Sequence, residues 1–372
     1  MKKILSSKSF KLSFIFALTL LFSACSISTT TDGMQSGSSV FYSGDRGNTW
    51  RDASGLATVS ASLEKISNLD IHGIYADPSD SAAMYLATAK GLYYTYSITD
   101  GWNLAKSLPQ DLIRSVAVNQ NNKCMVYVAM GNRVLRSVDC SRSFQEVYVD
   151  NDKAVMVNSV LIDHYNPRNI YIATSRGEVI KSIDEGQSWR TIHRFEEPIA
   201  KIISSPKDSR LIFVATNSAN LFSFFSNTET NPSTSADVER NFQVSNFKDL
   251  NAVLRDLSAG NVFKDVVVSP SDGAIFLATD KQIFRSKNDG LSWEPLNLIQ
   301  PDGQVAVNTM TVSPRNSNEI YYATNSTFFR SSDGGVSWTT KKLPSARGGS
   351  ALLVDFDNTN NIYLGTYRYS SK

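Results

Sequence analysis

An all-β fold, seven four-stranded units closed into a single ring, is what the 372-residue sequence predicts. Three observations carry the prediction. A short apolar segment recurs seven times, a Gly-centred turn recurs four times in the same phase, and the two chain ends each supply half of one unit.

The recurring segment reads Met84-Tyr85-Leu86-Ala87-Thr88, and later copies centre on Tyr127, Tyr171, Phe213, Phe276, Tyr321 and Tyr363. Successive aromatics stand 42, 44, 42, 63, 45 and 42 residues apart. Each copy is a continuous apolar run of strand length, as expected of a strand covered on both faces. Just upstream a second strand ends, for example Val266-Val267-Val268, and turn residues such as Ser269-Pro270-Ser271-Asp272-Gly273 separate the two. Downstream, a tight turn such as Gly131-Asn132 leads into a third strand and then a fourth. Four strands per unit, repeated around a ring, is the pattern of a β-propeller. The 63-residue gap holds a polar loop at 227–235 and a stretch at 246–261. In that stretch Leu250, Val253, Leu254 and Leu257 predict a short helix.

The turn between third and fourth strands carries Asp45, Gly47 and Trp50 in one unit, and Asp184, Gly186 and Trp189 in another. Two further copies carry Asn288, Gly290 and Trp293, and Asp333, Gly335 and Trp338. The carboxylate or amide is suited to accept backbone N–H bonds inside the hairpin, Gly takes the positive φ, and Trp buries its ring between units. These are structural roles. The other three units keep remnants, among them Ser137-Val138-Asp139-Cys140-Ser141.

The ends complete the count. Val40-Phe41-Tyr42 and Thr49-Trp50-Arg51 are a third and fourth strand, and Leu352-Leu353-Val354 and Ile362-Tyr363-Leu364 are a first and second. Joined, they make a seventh blade and leave no open edge. If Gly131-Asn132 is a two-residue hairpin turn, Cys124 lies opposite Asp139 and beside Cys140, so a Cys124–Cys140 disulfide is expected.

Residues 1–24 read as an export signal: Lys2, Lys3, Lys8 and Lys11 precede an apolar run too short to span a bilayer. The run ends Leu21-Phe22-Ser23-Ala24-Cys25, which resembles a bacterial lipobox with Cys25 as the acylated residue. An ordinary signal peptide cut near Ala24 is the alternative. Residues 25–38, rich in Ser, Thr and Gly, fit a tether, leaving 39–372 for the propeller. The expected location is outside the cytoplasm, lipid-anchored to the outer face of the cell membrane or to the outer membrane.

Net charge is +2, from 37 basic and 35 acidic residues, which gives no electrostatic reason to expect nucleic acid. Three His, at 72, 164 and 193, stand at no metal-ligand spacing, and no phosphate loop or nucleophile elbow is present. Neither metal nor cofactor is expected. The segment Asp355-Phe356-Asp357-Asn358 lacks the Gly and distal Glu of a calcium loop and reads as a turn.

Function is sought where the innermost strands begin. Aligning the units puts His72, Arg114, Asn158, Ala200, Lys264, Asn308 and Ser350 at one position. The next holds Gly73, Ser115, Ser159, Lys201, Asp265, Thr309 and Ala351. A polar, mainly basic ring on otherwise apolar strands suits an acidic peptide, carboxylate or glycan, and equally a solvated channel lining. His72, Arg114, Asn158, Lys201, Lys264, Asp265 and Asn308 are the candidate binding residues.

The turns carrying Asp45, Asp184, Asn288 and Asp333 are similar to the BNR or Asp-box repeat. Over 39–372 the chain resembles Asp-box propellers, foremost the photosystem II assembly/stability factor-like proteins and more distantly the sortilin type. That resemblance implies a binding or assembly scaffold for an exported or membrane protein, and not an enzyme. Sialidases and xyloglucanase-type glycosidases share the repeat. The channel mouth, however, offers one Arg where sialidases use three, and the xyloglucanase type pairs two propellers. Carbohydrate binding is the alternative reading, and a divergent glycosidase a remoter one.

Overall fold

The computed structural model describes residues 37–57, 64–227, 239–240, 242–299 and 307–369. The export signal, Cys25, most of the tether and most of the 227–235 loop lie outside these residues.

Seven four-stranded antiparallel sheets follow the repeat. Blades 1 to 6 span 71–104, 113–149, 157–194, 199–249, 263–295 and 309–342. Blade 7 runs outward through Gly348–Val354, Ile362–Tyr367, Val40–Ser43 and Arg51–Asp52, so both chain ends share it as expected. The innermost strands touch one another in a closed cycle, blade 7 against blade 1 included. Contacts of the propeller already include residues just before the boundary read from sequence: Ser38 bridges Ser67, and the Asn68 amide donates to the Gly37 carbonyl at 2.7 Å.

Burial explains the ring. The apolar cores of the second strands are buried, and the seven aligned aromatics from Tyr85 to Tyr363 are at most 4% exposed. Seven apolar clusters each join one blade to the next, so burial is distributed around the ring rather than gathered in one core. Closure between blades 7 and 1 adds a buried guanidinium. Arg347 donates to the Asp70 carboxylate, to the Leu69 carbonyl at 3.1 Å and to the Thr366 hydroxyl at 3.2 Å. The predicted helix is present as Ala252–Asp256, with Leu254 buried between blades 4 and 5.

The turns show why their residue types recur. In Ser331–Ser337, Ser331 Oγ donates to Asp333 Oδ1 and accepts the Gly335 amide, both at 2.8 Å. Asp333 then accepts the Ser337 amide at 2.9 Å and its hydroxyl at 2.5 Å, which holds the carboxyl near 2. The turns at Asp45 and Asp184 repeat the pattern. At Asn288, Oδ1 still accepts the Ser292 amide at 2.9 Å, but Nδ2 donates to the Ser292 hydroxyl, where the aspartates accept from theirs.

Blade 2 differs from its reading as a remnant, because the whole set is made: Asp139 bonds to Ser137 and Ser143, and Ser137 Oγ accepts the Ser141 amide. Each of these turns needs two successive positive φ angles, here Cys140 at 59° and Ser141 at 65°, and Ser141 supplies the second where the others have Gly. Ser141→Gly therefore raises stability by about 0.5–1 kcal/mol, readable in denaturant unfolding. An unchanged midpoint would show that the turn carries no strain. Gly131-Asn132 is the two-residue turn, and the Cys124–Cys140 disulfide is formed within this blade.

Candidate functional site

All fourteen residues that the repeats align at the two channel positions line one central cavity of about 880 Å³. The register explains how two successive residues both reach it. In six blades the pairing of first and second strands skips one residue, as in Ile71↔Thr88 followed by Gly73↔Ala87. The skipped residues are His72, Arg114, Asn158, Ala200, Lys264 and Ser350. Each sits on a β-bulge, a device that re-aims a side chain at the rim of a closed sheet.

Within this outer tier the polar groups divide. The Asn158 amide donates to the Ile199 carbonyl at 2.7 Å, and Asn308 donates to Asn325 Oδ1 at 2.8 Å. Ser350 Oγ donates to the Ile71 carbonyl at 2.6 Å. These three bind the fold to itself. The side chains of His72, Arg114 and Lys264 hydrogen-bond to none of the described residues. Burial lowers the His72 pKa; the Asp70 carboxylate pulls it up and Arg114 pushes it down further. A depression of about 460 Å³ at the mouth is bordered by His72, Arg114, Asn158, Pro198 and Asn217.

The inner tier braces neighbouring blades. Ser115 Oγ accepts the Val160 amide at 3.2 Å, and Ser159 Oγ accepts the Ile202 amide at 3.3 Å. Asp265 accepts the Met310 amide at 3.1 Å and the Lys201 ammonium at 2.8 Å. Burial pulls the Lys201 pKa down, but the charge and hydrogen bond of Asp265 outweigh it and hold the pKa above its ordinary value. Lys201 and Asp265, both singled out from sequence, thus satisfy each other. In blade 1 the position is Gly73, where a Cβ would meet the Tyr75 ring at 2.5 Å, so glycine makes room for that phenol in the channel.

The aromatics Tyr148 and Phe195 at the strand ends are taken up by packing. Phe195 is 8% exposed against Phe222 and Phe247, and Tyr148 packs edge-on to Trp189. Sequence reasoning missed a groove of about 370 Å³ outside blades 1 and 2, formed by Tyr94, Tyr96, Lys123, Cys140 and Arg142. Its signal was the shortened turn at 97–102, which leaves Tyr96 43% exposed. Among the described residues no His, Cys, Asp or Glu cluster could hold a metal ion. Asp355 spends one carboxylate oxygen on the Asp357 and Asn358 amides and the other on the Asn361 side chain, as a turn residue does.

The fold is shared with the GH74 xyloglucanase of Xanthomonas campestris, at TM-score 0.61 and 14% identity, over 81% of this chain and 51% of that one. It is shared with the GH74 enzyme of Niastella koreensis at TM-score 0.59 and 14% identity, over 84% and 52%. This chain spans about half the length of those enzymes. YCF48 bound to D1 peptide gives TM-score 0.57 and 15% identity, over 82% of this chain and 94% of that one. No curated protein matches by sequence. A family model does match, the DUF6242 beta propeller domain, over residues 101–366, and the chain belongs to that family.

Proposed function

We propose that this chain is a binding and assembly scaffold, held at a membrane through lipid on Cys25, that docks an exported or membrane protein on its channel-mouth face. One observation carries the reading: His72, Arg114 and Lys264 stand on bulges around the mouth with no hydrogen-bond partner among the described residues. Arg114 and Lys264, cations left uncommitted while their neighbours brace the blades, suit a carboxylate-bearing peptide. YCF48, of similar fold, has been seen bound to a peptide. Against hydrolysis, Asp265 is the one carboxylate among the described residues lining the channel, and its bonds to Lys201 and Met310 occupy it. Glycoside hydrolysis needs two carboxyl groups flanking the bond. Carbohydrate binding is the second reading, favoured by the paired Tyr94 and Tyr96 rings, 5.6 Å apart, in the outer groove.

The test is co-purification from native membranes, comparing the intact protein with Arg114→Glu/Lys264→Glu. The expected result is a protein retained by the intact form and lost by the variant. Identical retention, or none by either, removes the mouth from consideration. Because the His72 pKa lies below its ordinary value, its charge appears only on acidification, so retention strengthens from pH 7 to pH 5. His72→Gln flattens that dependence. Asp70 and Arg114, the charged groups acting on His72, are present in both forms.

A further inference from the structure

The channel changes character with depth. Below the polar tiers, Ala117 and Leu161 are half-buried between fully buried neighbours, which marks them as facing the lumen. Ile203 and Val267 line the same level. At the far end the lining is mostly Pro206, Pro270, Pro314 and Phe356, with Gln120 and His164 as its polar members. Among the described lining residues the one acidic group, Asp265, is neutralised by Lys201. A mainly apolar throat, with Tyr75 and Thr311 its polar groups at this level, therefore lies beneath a cationic mouth.

A cavity of about 880 Å³ falls within the range of small-molecule sites, which are mostly apolar with a few placed polar groups. Water against the throat has few hydrogen-bond partners, so an alkyl chain displaces it favourably. We propose that the channel binds a single-chain anionic amphiphile. Its carboxylate or phosphate head sits among His72, Arg114 and Lys264, and its tail lies along Leu161, Ile203 and Val267. The site shares its mouth with the docking face but requires no protein partner.

The test uses the full chain carrying Cys25→Ser, so that no attached lipid or detergent competes. Acetate, octanoate, decanoate and dodecanoate, each below its micelle concentration, are titrated by calorimetry. Affinity is expected to rise about fourfold per methylene, the factor for burying one CH₂, with one molecule bound per chain. Arg114→Glu/Lys264→Glu weakens every carboxylate at least tenfold and keeps the chain-length slope. Ile203→Trp fills the throat and abolishes the slope, and Ala117→Met, a milder change, reduces it if the first variant folds poorly. Lysophosphatidate with a twelve-carbon chain, compared with dodecanoate, decides between phosphate and carboxylate heads. Absence of saturable binding overturns the proposal, as does a slope that survives both throat variants. If a membrane protein is still retained at the mouth in either case, the docking reading stands and only the amphiphile is lost.

Discussion

Trp338→Ala lowers the unfolding free energy by about 3–5 kcal/mol, the usual range for deleting a buried aromatic. The ring is 9% exposed, sits edge-on to Tyr322 at 4.9 Å, and belongs to the apolar cluster joining blades 5 and 6. Its indole N–H also donates to the Asn297 carbonyl of the preceding blade at 2.8 Å. Trp338→Phe separates the two contributions. It keeps most of the apolar contact and leaves Asn297 without that donor, at about 1–3 kcal/mol. Trp293 provides the control. It is equally buried, but its indole nitrogen has no partner among the described residues, so Trp293→Phe costs less than Trp338→Phe. Equal losses in denaturant unfolding would show that the interblade hydrogen bond contributes nothing.

The same residues explain how much was legible in the sequence. A blade's second strand is covered on both faces, so its apolar run announces itself, and the turn that positions Trp338 is encoded within eight residues. Closure was legible because each end carried half a blade. The site was legible only to its tier. That His72, Arg114 and Lys264 occupy bulges depends on pairing with a second strand, which no single segment encodes. That Asp265 answers Lys201 depends on two blades meeting across 64 residues. The groove at Tyr94 and Tyr96 opens because a neighbouring turn is short, an absence that periodicity registers poorly. Blade 2 misled in the other direction: the motif's letters were lost while its hydrogen bonds survived in Asp139 and Ser143.

Lys181 was invisible for a further reason: its position on the third strand is one that Arg136, Arg285 and Arg330 also hold, and nothing local says that it is buried. In the folded chain it is wholly enclosed, with Nζ donating to Ser226 Oγ at 2.9 Å and to the Asn227 carbonyl at 2.8 Å. Burial pushes its pKa down to about 7, against a smaller upward pull from the Asp163 carboxylate. As pH falls from 10 toward 7, the unfolded chain takes up a proton at this lysine that the folded chain does not, so the fold loses stability. Below about 7 both states carry the proton and the loss stops. Stability should therefore rise between pH 7 and 9 by an amount on the order of 2 kcal/mol, below the range near pH 10 where the unfolded chain's tyrosines ionise. Lys181→Met removes that slope while filling the same space, and an unchanged slope in urea unfolding would show that Lys181 is charged in the fold. The position lies two strands out from the channel, on a blade that carries neither Arg114 nor Lys264. Binding at the mouth is then expected to be the same in the variant at pH 7, which separates a gain or loss of fold from a gain or loss of site.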